Sequence, residues 1–259
     1  MDDGGIVQFL LLGGLEIRAE CGSRATFRSE LQRTLMHVLL VSEGKTVSVD
    51  ALIDELWGEL PPSGVVNALQ ALVSRLRKKL ASLERGREAS RLIGHPYGYQ
   101  LVVDEDELDA SSFVAAVTRA QAADGRPCEV VDMLRAALAR WRGPVFGGEA
   151  SGPICRAAAA RYEEYRIRAL ELLFENELAR GNHAGILGEL REKHAENPLQ
   201  ERFCAQLMIA LYRCGRQAEA LSSYREMWSR LSEELGIEPS IELRRTEQAI
   251  LTQELRMSA

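Results

Sequence analysis

Apolar residues recur with two different periods over the first 60 positions. Val7 to Leu12 and Leu15 to Arg18 are short β-prone runs on either side of Gly13-Gly14, so they predict an antiparallel hairpin. Apolar positions then repeat at helical spacing between Ser29, a residue type that caps helices, and Gly44. A second short helix is predicted from Ser48 to Trp57. The chain therefore opens with a small sheet followed by a pair of helices.

A loop from Gly58 to Gly64 leads into a long amphipathic helix, predicted from about Val65 to Leu83. Its inward face holds Val65, Leu69, Leu72, Val73, Leu76, Leu80 and Leu83. Its opposite face holds Asn67, Ala71, Ser74, Arg75 and Lys78, flanked by Gln70 and Arg77. Asn and Gln pair with adenine edges, Arg and Lys pair with guanine edges, and small neighbours permit close approach to a groove. Taken alone, this face is equally typical of an ordinary solvated helix surface.

Two further β-prone runs follow, Arg91 to Gly94 and Tyr99 to Val103, separated by His95-Pro96-Tyr97-Gly98. They predict a second hairpin. A helical pair before the long helix and a hairpin after it together make a winged helix-turn-helix. The long helix is then the predicted recognition helix. Arg91, His95 and Tyr97 are the predicted wing contacts to phosphates or the minor groove.

From Asp109 onward the pattern is almost entirely helical, and it contains an internal repeat. Gly181 and Gly215 occupy equivalent positions 34 residues apart, which is the tetratricopeptide period; a looser copy begins at Ala123-Asp124-Gly125-Arg126. We therefore predict a mainly α protein with a small β component: a winged-helix domain at 1–103, then an all-α tetratricopeptide-like repeat domain at 104–259. The recurring aromatic residues of the second part are assigned to packing between helices, although a peptide or small ligand on the concave side stays open. They are Tyr162, Tyr165, Phe174, Phe203, Tyr212, Tyr224 and Trp228.

The distribution of charge changes this picture more than the formal net charge of −6 does. Residues 1–103 are balanced, and residues 104–259 carry the whole negative excess. Within the first part, residues 75–91 hold seven positive and two negative charges. One short basic stretch therefore overlaps the end of the recognition helix and the predicted wing, as expected for a surface that meets phosphates.

Several classes of protein are disfavoured by the sequence. No apolar run reaches the roughly 20 residues of a membrane span, and the start lacks a basic signal region, so a cytoplasmic protein is expected. The five cysteines and four histidines show no metal-ligand spacing, so no metal site is predicted. Gly44-Lys45-Thr46 lacks the earlier glycine of a phosphate-binding loop, because Leu39 stands there. We predict no catalytic residue, no enzyme activity and no cofactor.

The chain resembles the Streptomyces antibiotic regulatory proteins over nearly its whole length. In residues 7–103 the resemblance to their OmpR-type winged-helix domain is carried by Thr46-Val47-Ser48-Val49-Asp50-Ala51-Leu52-Ile53-Asp54-Glu55-Leu56-Trp57-Gly58, Asn67-Ala68-Leu69-Gln70, Val73-Ser74-Arg75-Leu76-Arg77-Lys78 and Gly98-Tyr99-Gln100-Leu101. In residues 108–255 the resemblance to their bacterial transcriptional activation domain is carried by Trp141-Arg142-Gly143-Pro144, Gly215-Arg216-Gln217-Ala218-Glu219-Ala220-Leu221 and Glu233-Glu234-Leu235-Gly236-Ile237-Glu238-Pro239. This chain is similar to the small, two-domain members.

The resemblance implies a transcriptional activator of secondary-metabolite (antibiotic) biosynthetic genes. Such a protein binds direct repeats in double-stranded DNA near the promoter, as a dimer or side-by-side pair, and recruits RNA polymerase through its sigma factor. It would be cytoplasmic and associated with the nucleoid. Within this frame Glu55 and Glu59, near the loop between the helices of the helix-turn-helix, are the candidate polymerase contacts. The alternative for this loop is that Pro61-Pro62 merely starts the next helix.

A different class of function is also compatible with the pattern. The helical repeats would bind a partner peptide or metabolite as a scaffold, and the winged helix would no longer read DNA. The basic stretch 75–91 discriminates between the two, since a scaffold has no reason to place seven positive charges beside a wing. It favours DNA binding.

Overall fold

The computed structural model describes residues 7–19, 22–84, 89–123, 126–150 and 152–254. Several residues discussed above lie outside the described residues: Cys21, the arginines Arg85 and Arg87 of the basic stretch, and Asp124-Gly125 of the looser repeat copy. The strands are β1 Val7–Leu10, β2 Glu16–Ala19, β3 Arg24–Ala25, β4 Val47–Ser48, β5 Leu92–His95 and β6 Gly98–Leu101. The helices are α1 Glu30–Val41, α2 Val49–Trp57, α3 Val65–Leu83, α4 Asp109–Ala122, α5 Pro127–Leu138, α6 Pro153–Ala179, α7 His183–Glu196, α8 Glu201–Arg213, α9 Gln217–Leu235 and α10 Ile241–Leu251. The predicted fold class, mainly helical with small antiparallel sheets, is confirmed.

The contacts group the chain into two compact units. The first combines the residues up to Thr118 with Ala136–Arg166, and the second combines Arg119–Arg135 with the residues from Ile167 onward. The predicted division between residues 103 and 104 stays a prediction, because grouping by contacts does not show which segment folds independently.

The first sheet of the first unit begins with the predicted hairpin. Val7 pairs with Ala19 in antiparallel register, and β3 adds a short third strand that the sequence pattern did not predict. Phe9 and Ile17 point into the core and are fully buried. The Asp109 carboxylate accepts hydrogen bonds from the backbone N–H groups of Leu11, at 2.7 Å, and Leu12, at 3.1 Å. The start of α4 is thereby tied to the end of β1.

The helices α1, α2 and α3 pack around a common apolar core, with Leu39, Leu52, Leu69 and Leu76 all buried. The predicted bounds of α2 and α3 are confirmed to within about one residue, whereas α1 ends at Val41, before the predicted end near Gly44. The Ser48 hydroxyl accepts from the backbone N–H of Ala51 at 3.2 Å and so caps α2.

The wing belongs to a three-stranded sheet with the order β4-β6-β5. The predicted hairpin of β5 and β6 is confirmed, whereas β4, two residues long, was not predicted. Gly98 is required where β6 meets β4, because a Cβ there would lie 2.1 Å from the carbonyl oxygen of Val47.

The second unit consists of antiparallel helix pairs. Gly181 lies between α6 and α7, and Gly215 lies between α8 and α9, both with positive φ, so the predicted repeat corresponds to equivalent turns. Phe174 of α6 and Phe203 of α8 are buried and meet edge to face, with ring centroids 6.1 Å apart. Trp228 does not fit the prediction of an inward aromatic residue, because 48% of its surface is exposed.

Within the described residues, no helix is both long and apolar enough to cross a membrane. No group of three or more His, Cys, Asp or Glu side chains in that same part of the chain is arranged to hold a metal ion.

Candidate nucleic-acid interface

Helix α3 separates an apolar face from a polar one over most of its length, although Val65 and Leu83, predicted on the inward face, are only half-buried at its two ends. Leu69, Leu72, Val73, Leu76 and Leu80 are buried. The predicted DNA-facing residues Asn67, Gln70, Ser74, Arg75 and Lys78 are exposed, together with Ala71. The side chains that carry hydrogen-bonding groups for base edges therefore share one accessible surface, with a small residue at its centre.

Two cations on this face are available to an incoming polyanion. Arg75 and Lys78 are exposed and make no ion pair with any carboxylate of the described residues. Unpaired surface cations gain most from meeting phosphates, because no existing partner has to be given up and counterions are released from the DNA. The face therefore provides both base-reading groups and positive charge.

Arg77 has a different role from its two neighbours. It is half-buried, and its Nε donates to the carbonyl oxygen of Leu92 at 2.9 Å. Its guanidinium also lies against Gly94, since Nη2 is 3.3 Å from the position that a Cβ on Gly94 would occupy. Arg77 thus fastens the recognition helix to strand β5 of the wing.

The tip of the wing is exposed, and the strands behind it are held by side chains. Tyr97 lies in the turn between β5 and β6 with 70% of its surface exposed. His95 is hydrogen-bonded through Nε2 to Oε1 of Gln100 at 2.7 Å, and the Gln100 amide donates to the carbonyl oxygen of Gly44, also at 2.7 Å. Of the predicted wing residues, Tyr97 is the accessible one and His95 is half-buried in this hydrogen-bonded chain.

The third predicted wing residue, Arg91, does not fit the prediction of a DNA contact. It is 4% exposed, at the base of the hairpin, and its guanidinium donates to the carboxylates of Glu84 and Glu107 and to the carbonyl oxygen of Val102. Burial opposes the charge, but the hydrogen bonds to Glu107 and Glu84 outweigh it and raise the pKa of Arg91. Because its donors are already engaged, Arg91 is left out of the proposed interface.

The loop between α2 and α3 presents a projecting surface beside the recognition helix. Glu59 is exposed as predicted, and Leu60 next to it is 87% exposed. Gly58 and Gly64 both adopt positive φ, at 56° and 73°, where a side chain would be strained. The backbone conformation at each end of the loop therefore favours glycine.

Glu55, the other predicted polymerase contact, also differs from expectation. It is 3% exposed, and its two carboxylate oxygens accept from the backbone N–H groups of Ile154 and Cys155, each at 2.8 Å. It therefore caps the first turn of α6, where the helix dipole favours a negative charge. Burial and the charge of Glu55 raise the pKa of the Cys155 thiol. A side chain in this position cannot reach an external partner.

Two residues of the sequence, Pro153 and Gly152, are a signal for this cap, although they were not among the predicted site residues. Pro153 begins α6, and the N–H groups that follow a helix-starting proline need an acceptor from outside the helix. The carboxylate of Glu55 approaches the backbone so closely that only glycine fits at position 152, since a Cβ there would lie 2.1 Å from the carboxyl carbon of Glu55. Neither residue identifies Glu55, which lies 99 positions before Ile154, as the acceptor.

Two family models match the chain. Residues 26–101 match the model described as "Transcriptional regulatory protein, C terminal", which covers α1 to β6. Residues 108–251 match the model described as "Bacterial transcriptional activator domain".

Curated relatives resemble the chain over almost all of its length. It is 39% identical to the transcriptional regulator RedD of Streptomyces coelicolor, with 97% of the chain and 72% of RedD covered. It is 33% identical to the regulatory protein DnrI of Streptomyces peucetius, with 95% of the chain and 92% of DnrI covered. It is 37% identical to the regulatory protein AfsR of Streptomyces coelicolor, but spans 25% of that protein.

One solved structure shares the fold as a whole. The structure of Mycobacterium tuberculosis EmbR in complex with a low-affinity phosphopeptide aligns with a TM-score of 0.87 and 32% identity, covering 96% of this chain and 66% of the EmbR chain.

Proposed function

The chain belongs to the Streptomyces antibiotic regulatory protein family of transcriptional regulators, and on this basis we propose that it activates secondary-metabolite (antibiotic) biosynthetic genes by binding their promoter DNA through α3. The family consists of regulators and not of enzymes. In this proposal α3 lies in the major groove, and the wing reaches the adjacent backbone through Tyr97.

The observation that carries the proposal is the exposed polar face of α3. Asn67 and Gln70 offer bidentate amides, and Arg75 and Lys78 offer positive charge that no described carboxylate neutralises. Ser74 and Ala71 between them are small enough to let the helix approach base edges. An ordinary solvated helix face pairs many of its charges along the helix, as Arg216 and Glu219 do at the start of α9.

Two copies bind side by side on direct repeats. For both recognition helices to enter the major groove on the same side of the duplex, the repeats lie near one helical turn apart, about 10 to 11 base pairs. The two copies associate on the DNA, where the copy bound at one repeat favours binding of the second copy at the other repeat.

Polymerase is recruited through the loop 58–64. Glu59 is exposed beside the groove-binding helix and repels phosphate, so it is free to meet basic residues of a sigma factor's DNA-binding region. Glu55 has no part in this contact because it caps α6.

The test measures affinity for an operator mapped by footprinting on the promoters beside the encoding gene. Arg75→Ala and Lys78→Ala are compared with Arg225→Ala, which removes an exposed cation of α9 outside the interface. Loss of a guanine contact is expected to cost roughly 1 to 3 kcal/mol and to relax specificity at one base position. Loss of a phosphate contact weakens binding to all sequences alike and lowers the salt slope by about one.

The Arg225→Ala protein is expected to bind like the parent. If Arg75→Ala and Lys78→Ala also bind like the parent at moderate salt, α3 is not the recognition helix. If all three lose affinity equally, binding is a general effect of charge.

A further inference from the structure

The second unit contains a groove between α6 and α8 that the proposed DNA-binding role leaves unexplained. Its cavity has a volume of about 360 Å³. Leu178, Ala205 and Ile209 form apolar parts of its wall, and Arg202, Gln206 and Arg213 bring polar groups to it. Glu175 and Ala179 complete the lining, and all eight residues belong to α6 or α8, the first helices of the two repeated pairs.

Gln206 is a buried side chain with one hydrogen-bonding atom unused. It is 6% exposed, and its Nε2 donates to the carbonyl oxygen of Glu171 at 2.7 Å. This bond fixes which end of the amide is the oxygen. Oε1 is buried and has no partner among the described residues. A buried acceptor without a donor is unfavourable, so the site is suited to a ligand that brings an N–H group.

Arg213 adds an uncompensated positive charge to the same groove. One guanidinium nitrogen donates to the carbonyl oxygen of Leu178 at 3.0 Å, while the buried Nε has no partner. No carboxylate of the described residues forms an ion pair with it. Arg202, by contrast, is paired with Glu175 at 2.7 Å.

The neighbouring imidazole of His183 does not add a second positive charge that would compete with Arg213 for an anionic group. The pKa of His183 is lowered, first by burial and then by the Arg213 cation, so His183 is neutral near pH 7. A partly desolvated arginine without a counterion is a strong site for an anionic group, because the anion restores the charge balance and accepts its hydrogen bonds.

Gln206 and Arg213 are seven positions apart on α8 and therefore share one face, about 10 Å from each other along the helix axis. An extended peptide covers that distance in about three residues. The apolar wall between them offers room for a side chain beside Ile209.

From this arrangement we propose that the groove between α6 and α8 binds an acidic peptide segment of a partner protein. A main-chain N–H of the peptide donates to Oε1 of Gln206, and a carboxylate side chain of the peptide accepts from Arg213. An apolar side chain of the peptide packs against Leu178 and Ile209. The second unit then links the regulator to a partner independently of DNA.

In the experiment, the full chain is immobilised and used to select binding peptides from a phage-displayed library of random dodecapeptides. The enriched peptide is synthesised with a fluorescein label, and its affinity is measured by fluorescence anisotropy. A second peptide carries Gln or Asn in place of each Glu or Asp. The protein variants are Arg213→Gln and Gln206→Leu, with Arg225→Gln as the control for loss of an exposed arginine.

The enriched peptides are expected to contain an acidic residue, and the neutral peptide is expected to bind about tenfold more weakly or worse. Arg213→Gln is expected to lose a similar factor and Gln206→Leu a few-fold, while Arg225→Gln binds like the parent. Operator affinity stays unchanged in all three. In the parent protein, the side-chain Nε–H resonance of Arg213 is expected to shift on addition of the peptide, which tests the contact without any substitution.

The proposal is overturned if no peptide is enriched over a blank surface. It is also overturned if the enriched peptides bind equally well after neutralisation of their acidic residues, or if the Arg213 resonance does not move when the peptide saturates the protein.

Discussion

Replacement of Arg91 by Met is expected to destabilise the first unit while leaving the DNA contacts in place. The side chains of Arg91, Glu84 and Glu107 are 3%, 5% and 8% exposed, so loss of the guanidinium removes an ion pair from two buried carboxylates. Removing one partner of a buried ion pair lowers the free energy of unfolding by about 3 to 5 kcal/mol, because the remaining charges stay buried. For a unit of this size, that corresponds to a fall in Tm of roughly 10 °C.

The assay is thermal unfolding followed by circular dichroism, combined with operator affinity at 20 °C over a range of salt concentrations. The triple variant Arg91→Met, Glu84→Gln and Glu107→Gln is the matched control. It is expected to recover most of the lost stability, because no unpaired charge is left buried. Arg75→Met, on the exposed face of α3, is expected to weaken operator binding without changing Tm.

The wild-type salt slope is expected to persist in Arg91→Met, since the side chain is not available to phosphate. A Tm within about 1 °C of the parent, together with a salt slope lowered by about one, would refute this reasoning and restore Arg91 to the wing interface.

Four further predictions concern stability, activation and cooperative binding. Burial lowers the pKa of His37 to about 4, so between that value and its ordinary 6.5 the unfolded chain binds a proton that the folded chain does not. The unfolding free energy measured with urea is therefore expected to fall by roughly 1 kcal/mol per pH unit as pH drops through this window, and a His37→Leu variant with the parental slope contradicts the assignment. Glu55→Gln is expected to lower Tm by several degrees, because the amide NH₂ faces one of the N–H groups that the carboxylate now accepts. Glu59→Lys is expected to leave Tm unchanged and operator affinity equal or slightly higher while lowering transcription in a purified polymerase assay; parental transcription on a saturated operator excludes this loop as the activating surface. Insertion of half a helical turn between the repeats is expected to abolish cooperative binding in footprinting titrations, and unchanged cooperativity contradicts the side-by-side pair.

Local patterns predicted the parts of the fold whose determinants lie within a few residues of each other. The bounds of α3 follow from its apolar period, and the predicted start of α2 at Ser48 is its N-cap; Ser29, the predicted cap of α1, is at the N-cap position but makes no side-chain capping hydrogen bond. The two-residue strand β4 has no such pattern, since it exists only through its pairing with β6. The sequence also identified the exposed face of α3, because amphipathic spacing separates the two sides of a helix.

The residues whose placement differed from expectation are those decided by partners distant in sequence. Arg91 is 16 residues from Glu107, and Glu55 is 99 residues from Ile154. Periodicity marks a charged residue as suited to the surface, but it does not show that a carboxylate or a helix end has been brought to it by the fold. The unpartnered atoms of Gln206 and Arg213 were invisible for the same reason.

The central claim, that α3 lies in the major groove of the operator, is tested most directly by affinity cleavage. Ala71 is exposed at the centre of the polar face, so Ala71→Cys carries an iron chelate there, and Tyr97→Cys carries one on the wing, each in a background with Cys21, Cys128 and Cys214 replaced by Ser. The chelate on α3 is expected to cut within each repeat and the chelate on the wing beside it, with no cleavage by the treated background protein. Cleavage by the wing chelate with none from α3, on DNA that the protein saturates, would contradict the claim.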